Sequence, residues 1–106
     1  MNTHSDEAQF WSLVETFIEQ ANQACEQADP GLVSAALLNA ASRFNAFAVA
    51  SASLDRKEFG EEVESALNYL TGRYRELLRE DLQDYYENYK VYVRAGDGDD
   101  LSKPVD

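Results

Sequence analysis

Between Ser34 and Ser53 the chain reads SAALLNAASRFNAFAVASAS, apolar on nearly every side and broken by a single charge, Arg43. Eight alanines between Ala35 and Ala52 give the stretch high helix propensity and leave room for other backbones to come close. Asp29 is a competent N-cap, and Pro30 falls at the first helical position, where its missing N–H costs nothing. The pattern predicts a helix over about 30–53, and one so evenly apolar is expected to be buried as the core helix of the fold. A membrane span is the rival reading. Arg43, Asn39, Asn45 and the serines argue against it, since a central Arg costs about 2.5–3.5 kcal/mol on insertion scales.

Upstream, Phe10, Val14, Phe17, Ala21 and Ala24 recur at helical spacing with Trp11, Ile18 and Cys25 beside them, while Glu15, Glu19, Gln20, Gln23 and Gln27 fall mainly opposite. This predicts an amphipathic helix over about 5–28, opening near Thr3 or Ser5. The following Ala28-Asp29-Pro30-Gly31 suits a tight reversal, so the first two helices are expected to run antiparallel. Downstream, Asp55 is the next N-cap, with Glu58 three residues on in a capping-box-like arrangement. The ladder Phe59, Val63, Leu67, Leu70, Tyr74, Leu78, Leu82, Tyr85, Tyr89, Tyr92 keeps phase across Gly72. It predicts one helix over about 56–94. A break at Thr71-Gly72, giving a fourth helix, is the alternative.

The expected fold is therefore all-α: an antiparallel three-helix bundle with a long third helix, or a four-helix bundle if the chain breaks near Gly72. Residues 1–95 form a single helical domain on this reading. Residues 96–106, AGDGDDLSKPVD less its first residue, read as a disordered acidic tail, too poor in large apolar groups to offset the entropy of ordering.

Charge narrows the range of functions. The net charge of −11 sits mainly at the ends: residues 1–29 hold six acids and no base, and residues 96–106 hold four acids and one base. Direct binding to a phosphate backbone needs clustered Lys and Arg, and is not expected. Cys25 is the only cysteine, so no intrachain disulfide can form. The first residues, MNTHSDEAQF, lack the basic and apolar regions of a secretory signal, and a cytoplasmic location is expected.

Catalytic equipment is sparse. His4 is the only histidine, and no Glu-x-x-His pair, P-loop or Gly-rich phosphate fingerprint occurs. Cys25, on the apolar face of its helix, reads as an inert thiol. No catalytic residue, cofactor site or metal site is assigned, and no enzymatic activity is expected.

Two constellations remain. Arg43, the only base among the first 55 residues, is expected to pair with an acidic side chain of its own chain. In a sharper version it anchors an anion in a polar seam with Asn39 and Asn45. The second is the end of the third helix: Leu82, Tyr85, Tyr86, Tyr89, Tyr92 and Val93 would overhang shorter neighbours and form an interface. The leading expectation is a self-associating helical interaction module, a homo-oligomer and most simply a dimer, with an unidentified protein partner as a further option. A small-ligand or anion-binding protein using the Arg43 seam, and an acidic decoy for a nucleic-acid-binding partner, are the alternatives.

The run DPGLVSAALLNAASRFNAFAVA, above all Asp29-Pro30-Gly31 and Ser42-Arg43-Phe44-Asn45-Ala46-Phe47, resembles an uncharacterised family of small proteobacterial all-helical proteins, a domain of unknown function. The likeness extends from Phe10 to about Tyr89. It implies a bacterial cytosolic helical protein, with no catalytic or binding residue to carry over.

Overall fold

Asp29 and Pro30 open the central helix as their residue types require. In the computed structural model, which describes residues 3–89, the Asp29 carboxylate accepts from the Gly31 N–H at 2.9 Å and the Leu32 N–H at 3.3 Å. Two of the four orphan donors of a helix start are thereby satisfied. The order of elements is α1 (Thr3–Ala24), α2 (Pro30–Ser51) and α3 (Arg56–Glu87). The fold is all-α, with three helices and no strand among the described residues. At about 1.5 Å per residue, the 22, 22 and 32 residues span roughly 33, 33 and 48 Å.

The ends of the helices follow local chemistry. α1 stops at Ala24, short of the expected residue 28, because its last turn tightens: Glu26 N–H donates to the Gln23 carbonyl and Gln27 N–H to that of Ala24, both at 3.0 Å. At the end of α2 the Ser51 and Ser53 hydroxyls donate to the Ala48 and Val49 carbonyls, each at 3.2 Å. α3 opens on the expected cap, with the Asp55 carboxylate accepting from Glu58 N–H at 2.9 Å. The Glu58 side chain accepts in return from Leu54 N–H, one residue before the usual capping-box donor. Asp55→Ala should therefore lower stability by about 1 kcal/mol in a denaturant titration; an unchanged midpoint would show that the cap is redundant.

α3 runs unbroken through Gly72, so the alternative of a fourth helix starting there is removed. One local penalty of about 1 kcal/mol does not interrupt a ladder that keeps its phase. α3 ends at Glu87, where Asn88 N–H and side-chain amide both donate to the Asp84 carbonyl. The expected extension toward residue 94, and the acidic tail, fall from residue 90 onward outside the described residues.

The chain divides into two compact units, which part between Leu38 and Asn39 within α2. In the first, the least exposed positions are Val14, Ile18, Ala21, Asn22, Cys25 and Ala28, with Pro30 and Val33. In the second they are Val49, Ser53, Glu58, Phe59, Ala66, Leu70 and Tyr85. All are only half-buried.

The expectation that α2 is a buried core helix is overturned: neither α2 nor any other described element contains a buried residue. Phe44 and Phe47 are 66% and 61% exposed. The physical reason lies in the pattern itself. A helix apolar all round needs neighbours on every side, and a three-helix chain has only two to offer.

Candidate functional site

The surface is where this chain departs from an ordinary folded domain. Large apolar side chains stand exposed along all three helices, from Phe10, Trp11 and Phe17 on α1 to Leu82 and Tyr86 on α3. Scattered exposed hydrophobics are normal, but contiguous patches mark interaction sites. On α2, helical geometry places Val33, Leu37, Ala40, Ala41, Phe44, Phe47 and Ala48 on one face. The Phe44 and Phe47 rings lie 5.6 Å apart at 50°, with alanines a turn away on either side. Large beside small is the relief that lets one helix interlock with another.

The polar seam fares differently. Asn39 and Arg43 are one turn apart and share a flank, whereas Asn45 is two residues beyond Arg43, about 200° round the helix. Arg43, expected to pair with an acid of its own chain, is exposed and makes no ion pair or side-chain hydrogen bond with the described residues. Its stem is long enough to keep the guanidinium in water, so an intrachain partner is not required where no burial occurs. Asn39 and Asn45 are exposed as well, and the three do not converge on a pocket.

Of the expected interface at the end of α3, Leu82, Tyr86 and Tyr89 are exposed, Tyr86 by 78%. Tyr85 is half-buried and has an interaction partner. Tyr92 and Val93 lie outside the described residues. An open depression of about 470 Å³ is lined by Arg75, Leu78, Arg79, Leu82, Gln83 and Tyr86, all on α3. A hollow walled by one helix cannot enclose a small molecule as a ligand cavity does. The sequence pattern pointed to Leu82 and Tyr86 here but not to Arg75 and Arg79, which lie off the apolar ladder.

Other chemistry is thin. Among the described residues no group of three His, Cys, Asp or Glu side chains is placed to hold a metal ion. Cys25 is a free, half-buried thiol, less enclosed than its apolar surroundings in sequence suggest. Asn22 Oδ1 is shielded from solvent and has no hydrogen-bond partner among the described residues. An orphaned acceptor costs about 1–3 kcal/mol, so Asn22→Leu should raise the denaturation midpoint. A lower midpoint would mean that the amide has a partner in the working protein.

Three helices with large apolar side chains exposed define an all-α chain among the described residues. The chain belongs to the family described as "Protein of unknown function (DUF3144)", whose pattern it matches over residues 10–86. No curated protein and no solved structure matches it.

Proposed function

We propose that the protein is a non-enzymatic, self-associating helical interaction module. One observation carries this reading: no described residue is buried, although the helices are well formed and α2 and α3 open on proper caps. Ordering each residue costs about 1–2 kcal/mol in backbone entropy, and short isolated helices are marginal in water. Burial of apolar faces must supply the difference, and among the described residues of one chain it is missing. A second copy is the one partner present wherever this chain is made, so association of copies completes the fold. The acidic surface keeps the assembly soluble, and a cytoplasmic location suits it.

Light scattering tests the proposal. A mass of twice the 11.9 kDa chain or more is expected at micromolar concentration. A folded monomer at high micromolar concentration would overturn it.

A second reading has its own observation. α2 is long and apolar enough to cross a membrane by length and composition, with a mean hydropathy of 1.3. Arg43 and Asn39 near its midpoint weigh against a span. Flotation with lipid vesicles separates the two: the self-association reading expects the protein to stay at the bottom of the gradient.

A further inference from the structure

We infer that α3 pairs antiparallel with α3 of a second copy, about a two-fold axis that crosses the pair at the level of Leu70. The inference rests on the self-association proposed above and names one contact within it and the orientation that contact sets. It begins with charge. One long stripe of α3 carries Lys57, Glu61 and Glu64 toward its start, Asn68 and Gly72 near its middle, and Arg75 and Arg79 beyond. All five charged residues are exposed, and none of them belongs to the Arg73–Glu76 ion pair. The stripe thus carries a pair of acids on one side of its neutral centre and a pair of bases on the other, with Lys57 outermost on the acidic side and set against the uncharged Gln83 in the reversed pairing.

Such a stripe complements itself when reversed. In a two-fold antiparallel pair, residues on the same flank of each helix face one another at equal distances from the axis. Glu61 and Arg79 each lie nine residues from Leu70, on the same flank of the helix. Glu64 lies six residues before Leu70 and Arg75 five after, again on nearly the same flank. One register therefore brings both acids against both bases, and symmetry repeats the set. A parallel, in-register pair would set Arg79 against Arg79 and Glu61 against Glu61.

Tyr86, 78% exposed, lies on the same stripe at its basic end. Of the half-buried positions of α3, Phe59, Ala66 and Leu70 lie on the opposite side of the helix and Glu58 and Tyr85 to either flank, which leaves the stripe free. Apolar contacts along the adjoining ladder, such as Leu78 and Leu82, supply affinity. The charges set orientation, which is what exposed charges do best. The depression at Arg75, Arg79 and Tyr86 is then the half-site that receives the start of the other α3.

Charge exchange tests the pairing. Arg75→Glu with Arg79→Glu, and separately Glu61→Arg with Glu64→Arg, should each weaken self-association tenfold or more by analytical ultracentrifugation. Mixing the two variants should restore a tight heterodimer, and all four changes in one chain should restore the homodimer. Wild-type association that neither exchange weakens would overturn the α3 pairing and leave self-association standing; a monomeric wild type would remove both. A near-native check uses single cysteines in a Cys25→Ser background. Thr71→Cys, close to the axis, should give a disulfide-linked dimer under mild oxidation. Arg79→Cys, whose two copies would lie roughly 27 Å apart along the helices, should not. Equal cross-linking at both positions would overturn the antiparallel arrangement.

Discussion

Phe44→Asp combined with Phe47→Asp is expected to dissolve the assembly and take most of the helical signal with it. The two rings sit on the apolar face of α2, more than half exposed within the chain. If that face stayed in water, two surface substitutions would change stability by no more than about 0.5 kcal/mol each. If copies of the chain cover it, each Phe is a core residue whose loss costs on the order of 3–5 kcal/mol. A symmetric dimer suffers the loss in both copies, and each new carboxylate would also have to be desolvated. Circular dichroism and light scattering on the double variant read both consequences. A variant that keeps wild-type helicity and mass would show that this face is not covered.

The alanines of the same face give the second large effect, in the opposite chemical direction. Ala40→Leu, Ala41→Leu and Ala48→Leu add apolar bulk at exposed positions, where an isolated chain has open space for it. In a covered face those alanines are the hollows into which another helix fits. Filling them should cost about 1–3 kcal/mol each, and more when the three are combined. Thermal melts of the single and triple variants should therefore show a progressive fall in midpoint. Unchanged or rising midpoints would mean that α2 has no close helical neighbour in solution.

These outcomes bear on what the residue pattern can disclose. Local rules carried the secondary structure well. Asp29-Pro30 and Asp55 with Glu58 start α2 and α3 where capping chemistry requires, and the ladder through Leu67, Leu70 and Tyr74 carries α3 across Gly72. The end of α1 was less visible, because the tightened turn at Gln23–Gln27 depends on backbone bonds that leave no mark in hydropathy. Burial was the larger miss. Apolarity around α2 reveals that the helix needs covering, but says nothing about whether the cover comes from its own chain or from another. Arg43 failed for the same reason: its need for an ionic partner was deduced from burial, and the burial is not there. The charge order along α3 was present in the sequence throughout. It had no meaning until α3 proved continuous, since a break at Gly72 would have put Glu61 and Arg79 on different helices.

The central claim, that association completes the fold, is tested most directly by the concentration dependence of thermal unfolding. Melting followed by circular dichroism over a hundredfold concentration range should shift in midpoint, because mass action over that range amounts to about 2.7 kcal/mol. For a dimer of this size that corresponds to a rise on the order of 5–10 °C from the dilute to the concentrated sample. A single cooperative transition at the same temperature across the whole range would contradict the account.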